Sequence, residues 1–216
     1  DEILTTSIAY MVQLSGDVSE SVGLLRSLKR NYQRSYPGQG TRAAWALSYP
    51  MPYAPILDKY SKEYGVDKFL ILALIREESS FDPGVMSYAH ALGLTQIIQS
   101  TGKIIARKLK VKGFKFGDLK KPEVAIRFGS FHFRELTELF KGNHALAIAA
   151  YNAGEGAVKR WTGRAENLPM DVFIEEIPYS QTCKYTRRVL RSYGIYRFLY
   201  SDDEAGFNLW RNITRK

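Results

Sequence analysis

The stretch Phe69-Leu70-Ile71-Leu72-Ala73-Leu74-Ile75 constrains the fold more than any other feature of the chain. Seven consecutive apolar residues belong in a core, and they fall far short of the roughly 20 that a membrane span needs. Asp67 stands where an N-cap would be, and the pattern predicts a helix over 68–79. Apolar almost all round, this helix has to be central, with other elements packed about it. It finishes abruptly in Arg76-Glu77-Glu78, and Phe81-Asp82-Pro83 cannot continue it, because proline disfavours the helical region at the residue before it. A segment bound for the core therefore ends in two carboxylates.

The rest of the chain reads mainly as helix. Periodicity predicts helices over 3–14, 20–35 and 41–47, from Pro55 to Tyr64, and over 100–109, 122–140, 143–160, 171–176 and 182–200. Residues 84–99 carry β-branched residues, Gly93 and no helical stripe, so a loop with a short hairpin is expected there. Residues 162–170 read as a second loop. Pro50, Pro52 and Pro55 mark a linker or domain edge. The fold class is mainly α with minor β, and 45% hydrophobic residues in 216 suffice for a sizeable core.

The net charge of +9 suits an anionic partner. The cations are scattered, however, and the densest run, KLKVKGFKF, reads as a solvated loop, so a nucleic-acid-binding face is not predicted. A single cysteine, Cys183, permits no internal disulfide. His90, His132 and His144 are too far apart in sequence to suggest a metal site. No metal, cofactor or membrane span is expected.

A carboxylate at a helix C-terminus meets the negative end of the macrodipole, which favours its protonated form; partial burial acts the same way. A carboxyl group protonated near neutral pH can serve as a general acid, and the chemistry this suggests is glycosidic cleavage, which usually uses two carboxylates. None of Asp82, Asp118, Glu123, Glu155, Glu166, Asp171, Glu175 or Glu176 sits in a motif marking the second. The residues alone leave two readings open: an acid, or two exposed terminal glutamates, one paired with Arg76. They do not choose between Glu77 and Glu78.

Four blocks in order carry a resemblance. They are Glu78-Ser79-Ser80-Phe81-Asp82-Pro83, then Ser87 with Ala91-Leu92-Gly93-Leu94-Thr95-Gln96-Ile97, then Ala149-Ala150-Tyr151-Asn152-Ala153-Gly154-Glu155-Gly156, and Phe173-Ile174-Glu175-Glu176-Ile177-Pro178-Tyr179-Ser180. Their order and spacing resemble the catalytic domain of soluble lytic murein transglycosylases, family 1 (Slt-like, glycoside hydrolase family 23, kin to goose-type lysozyme). The resemblance implies a lysozyme-like domain over 49–200, a helical N-terminal segment over 1–48 as the tail of a linker region, and a C-terminal tail over 201–216. It implies a monomer acting on peptidoglycan glycan strands in the periplasm. By the same resemblance Glu78, rather than Glu77, is the acid and then the base, cutting the β-1,4 bond after N-acetylmuramic acid without water to leave a 1,6-anhydro ring. One carboxylate then suffices, because the nucleophile belongs to the substrate itself.

Other matched positions inherit expectations from the family. Ser87 would bond Glu78 or an N-acetyl group. Gln96 would bind sugar, Tyr151 would place its hydroxyl near Glu78 and steer its protonation, and Asn152 would let the backbone come close to the glycan. Glu175 and Tyr185 would lie in or beside it. Departures from the pattern are His90 for the usual Gly, Thr95 for Met, Gln99 for Pro, and Gln181 and Cys183 for Glu and Arg. Rival readings are a goose-lysozyme-like hydrolase aided by Asp82 or Glu175, and an inactive glycan-binding module.

Overall fold

The computed structural model describes residues 2–27, 42–163 and 168–201. The centre of the molecule is the apolar run. Helix α5 (Lys68–Ser79) buries every residue from Phe69 to Arg76, and Asp67 caps it by accepting from the Phe69 N–H at 2.8 Å. The second carboxylate oxygen of Asp67 accepts from the Tyr193 hydroxyl at 2.7 Å and from Arg197 at 3.1 Å, so the cap also fastens α5 to the last helix, α11 (Ser180–Tyr200). α4 (Ala54–Tyr64), α7 (Pro122–Leu139) and α8 (His144–Ala153) complete the layer around it. α4 and α7 each begin with proline in the first turn, where its missing N–H costs nothing.

Before this core come α1 (Glu2–Leu14), α2 (Val18–Ser27) and α3 (Arg42–Ser48), which pack on one another. The proline-bearing stretch that follows is held to α11: the Tyr196 hydroxyl donates to the Pro50 carbonyl at 3.0 Å and the Tyr200 hydroxyl to the Tyr49 carbonyl at 2.9 Å. The second half of the helix expected over 20–35, part of the loop over 162–170 and nearly all of the tail over 201–216 lie outside the described residues.

The expected hairpin is two residues per strand. β1 (Ala91–Leu92) pairs antiparallel with β2 (Ile97–Ile98), with Ala91 opposite Ile98 and Leu92 opposite Ile97. Gly93 makes the turn possible. Its φ is +79°, and a Cβ there would sit 2.1 Å from the Leu119 carbonyl oxygen. α6 (Gln99–Lys108) follows at once. A short 3-10 turn, Phe116–Lys120, was not foreseen by periodicity, which is blind to a single turn.

One helix expectation is corrected. Residues 143–160 form two helices, α8 and α9 (Glu155–Thr162). Gly154 divides them with φ 82° and ψ 147°, a conformation open to glycine and closed to an L side chain. α10 (Met170–Glu175) then leads into α11. Among the described residues no helix is long and apolar enough to cross a membrane.

Candidate active site

An open cleft of about 1460 Å³ runs between the hairpin with α6 on one side and α7, the end of α8 and the start of α11 on the other. It exceeds the usual volume of a small-molecule pocket. Glu78 lines it, from the last turn of α5. Adjacent Glu77 does not line it. One residue along a helix is a turn of about 100°, and that rotation sends the two side chains into different surroundings.

Glu77 is enclosed by cations. Its Oε1 accepts from Arg76 at 2.6 Å, from Ser192 Oγ at 2.7 Å and from Arg26 at 3.3 Å, and Arg188 lies 3.4 Å from its Oε2. Arg76 is itself buried, donates to the Ser48 carbonyl at 3.0 Å and lies 3.9 Å from the ring centre of Tyr49. The pairing of a glutamate with Arg76 that the sequence left open is therefore the role of Glu77.

Glu78 has a different neighbourhood. Its Oε1 accepts from the Tyr185 hydroxyl of α11 at 2.6 Å. The residue keeps some exposure to the cleft, yet burial among neighbouring groups pushes its carboxyl up to about 7. The Tyr185 bond and the charge of Arg188 pull the other way, and Glu77 adds to the rise. The outcome is a carboxyl group that holds its proton near neutral pH and can also lose it, as an acid that becomes a base requires.

The remaining predicted residues divide. Ser87, Gln96, Tyr151 and Asn152 line the same cleft as Glu78. Ser87 Oγ accepts from the Ala91 N–H at 3.1 Å, which leaves its own proton to donate. Gln96 sits at φ 46° and braces its loop, its amide nitrogen donating to the Val85 and Gly93 carbonyls at 3.0 and 2.9 Å. Only its amide oxygen is then left for a ligand. Asn152 Oδ1 accepts from Thr182 Oγ1 at 2.8 Å, which keeps its amide N–H groups for other partners.

The two tyrosines meet Glu78 differently. The Tyr151 hydroxyl donates to the Thr95 carbonyl at 2.8 Å, and the hydroxyl on Glu78 is that of Tyr185. Tyr151 stays within electrostatic reach: Glu78 raises its already elevated pKa, which burial raises most. Tyr185 is likewise raised well above the ordinary tyrosine range, by burial first and then by Glu78, so it remains a neutral donor. Glu175 is absent from the cleft wall; it is exposed and pairs with Arg187 at 3.3 Å.

The departures acquire physical reasons. His90 is exposed with φ 55°, in the left-handed region where glycine is free of strain. Gln99 opens α6 at its first position, the place proline favours. Thr95 is buried and donates to the Ala125 carbonyl at 3.0 Å, packed so closely on α7 that a Cβ at Gly129 would lie 2.5 Å from its methyl. Gln181 lines the cleft and Cys183 is half-buried beside the core. Sequence reasoning passed over Tyr88, fully exposed on the cleft rim, and His132, which faces the Tyr151 ring at 5.3 Å and which burial holds below the usual histidine range. Neither stands in one of the four blocks, so no local pattern flagged them.

Comparison with known proteins gives the family. The soluble lytic murein transglycosylase of Salmonella typhimurium is 31% identical over 159 residues, covering 73% of this chain and 25% of that protein. The 70 kDa soluble lytic transglycosylase of Escherichia coli superposes with a TM-score of 0.81 at 25% identity, over 94% of this chain and 31% of its own. The lytic transglycosylase Slt of Pseudomonas aeruginosa, solved as an inactive Glu-to-Gln mutant, superposes with a TM-score of 0.76 at 30% identity, over 92% of this chain and 30% of its own. The chain thus spans about a quarter to a third of the length of these relatives. The model of the transglycosylase SLT domain matches residues 55–174, more than half of the chain, and the chain belongs to that family, as an Slt-like domain of lysozyme-like fold.

Proposed function

We propose that this chain is a lytic transglycosylase acting on peptidoglycan, cleaving the β-1,4 bond between N-acetylmuramic acid and N-acetylglucosamine to leave a 1,6-anhydro end. The observation that carries the reading is one carboxyl group, Glu78, raised to about 7 at the wall of a polymer-sized cleft with a tyrosine hydroxyl bonded to it. Protonated Glu78 donates to the glycosidic oxygen as the bond to C1 breaks. The carboxylate left behind takes the proton of the C6 hydroxyl of the same muramic residue, and the C6 oxygen bonds to C1. The proton count returns to its start, and no water enters. The intramolecular nucleophile supplies the effective concentration that a second catalytic carboxylate and a bound water would otherwise have to provide.

The hydrolase reading has less support. Its helpers were Asp82 and Glu175, and neither lines the cleft. Asp82 accepts from the Gly84 N–H at 2.7 Å, and Glu175 pairs with Arg187. Glu135 and Glu155 do line it, but they pair with Lys108 and Lys159. The inactive relative carrying a Glu-to-Gln change is consistent with reliance on a single acid. With peptidoglycan as its substrate, the proposed site of action is the bacterial periplasm. The test is mass spectrometry of purified peptidoglycan treated with this chain and with Glu78→Gln. Muropeptides one water lighter than reducing-end products, absent with Glu78→Gln, are expected. Reducing ends would make the chain a hydrolase, and no soluble product would make it a binding module.

A further inference from the structure

We propose that Arg26, on α2 and outside the matched residues 55–174, is a positioning residue for Glu78. It holds the end of α5 in place from the N-terminal helices. The proposal rests on Glu78 being the acid. Three contacts converge. Arg26 Nη1 donates to Ser80 Oγ at 2.7 Å, and its Nη2 donates to the Arg76 carbonyl at 2.8 Å and to Glu77 Oε1 at 3.3 Å. These three acceptors bracket Glu78 in sequence on both sides.

The end of α5 needs such a brace for two reasons. The last carbonyls of a helix have no partner within it, and the Arg76 carbonyl is among them. A guanidinium there also meets the negative end of the macrodipole. The turn that follows is strained: Ser80 has φ 50° and Phe81 has φ 70°, two consecutive non-glycine residues in the left-handed region. Such a turn persists where surrounding contacts over-determine it. Ser79 supplies some, donating to the Ile75 carbonyl at 3.0 Å and accepting from the Phe81 N–H at 3.2 Å. Arg26 fixes the Ser80 side chain from outside. Its own helix is anchored by Val22 and Leu25, buried at 0% and 1% exposure. Without the brace, the last turn of α5 is free to shift, and Glu78 shifts with it against Tyr185 and Arg188 of α11 and Tyr151 of α8. A small displacement of an acid from its leaving group lowers the rate steeply.

The test compares Arg26→Ala, Arg26→Lys and Val22→Ala in the full chain, with wild type and Glu78→Gln as controls. Val22→Ala weakens the anchor of α2 but keeps all three donors of Arg26. Each variant is assayed at a temperature where it is fully folded by circular dichroism. Arg26→Ala is expected to lower kcat about tenfold with KM within about twofold. Arg26→Lys should recover part of the loss, since it restores the charge without the fork that reaches three acceptors. Val22→Ala should lose less kcat than Arg26→Ala, because the three donors of Arg26 remain. Full kcat in Arg26→Ala, or an equal loss in Val22→Ala, overturns the proposal while leaving the role of Glu78 intact. Activity surviving in Glu78→Gln overturns both.

Discussion

Glu77 and Glu78 are adjacent, chemically identical and on the same helix, yet they stand in two unlike regions of the molecule. The first faces three guanidiniums and a serine hydroxyl contributed by α2, α5 and α11. The second faces a cleft and a tyrosine hydroxyl, with its carboxyl raised to about 7. The ion-paired region satisfies a carboxylate and ties helices together. The cleft region leaves a carboxyl group poorly solvated and therefore reactive. Stability and chemistry are assigned to neighbouring positions by a rotation of about 100°.

The sharpest way to break this comparison is to neutralise each glutamate in turn. Glu78→Gln is expected to abolish cleavage, by about a thousandfold or more in kcat, measured as muropeptide release. The same change should stabilise the fold at high pH. The folded-state pKa of Glu78 lies above that of the unfolded chain, so its ionisation opposes folding as pH rises from about 4.5 through about 7. The substitution should therefore raise the unfolding free energy by up to about 3 kcal/mol at pH 8 and change it little at pH 4, read by urea titration at both pH values. Glu77→Gln should do the reverse in kind. It leaves Arg76 buried without its carboxylate and should cost about 3 kcal/mol by the same titration at neutral pH. Equal stability losses from both substitutions would erase the distinction drawn here.

Two smaller effects sharpen it. Tyr185→Phe removes a bond to the ionised form of Glu78, so the pH above which activity falls should move upward, with kcat at neutral pH down about tenfold. A pH–rate profile checks the sign: a limb moving downward would mean that Tyr185 favours the protonated acid instead. At the cleft margin, His90→Gly and Gln99→Pro should each stabilise by about 0.5 kcal/mol without altering kcat, the first by relieving a left-handed histidine and the second by fixing the first turn of α6. Thermal unfolding would detect either.

Much of the fold was legible because its signals are local. The apolar run, the Asp67 cap and the prolines at 55 and 122 each act within a turn of where they stand, and the helices they mark begin and end within a residue or two of expectation. The break at Gly154 was missed because apolar periodicity continues across it, although a glycine followed by Glu155-Gly156 is a signal that could have been weighed. Glu78, Ser87, Gln96, Tyr151 and Asn152, all in the cleft, were found through the matched blocks. Glu175, placed by its block, turned out to pair at the surface, because where a side chain at a helix end points depends on what packs beside it.

By itself, the sequence determined that a wholly apolar helix would be buried and would carry two carboxylates out at its end, since hydrophobic burial and helix capping are properties of short windows. The matched block pointed to Glu78, but only the tertiary structure showed why: which glutamate meets the arginines and which meets the cleft. Arg26, Tyr185, Arg188 and Ser192 lie 51 to 115 residues from the carboxylates they contact, and the desolvation and charge that separate two identical side chains exist only once those distant helices pack together.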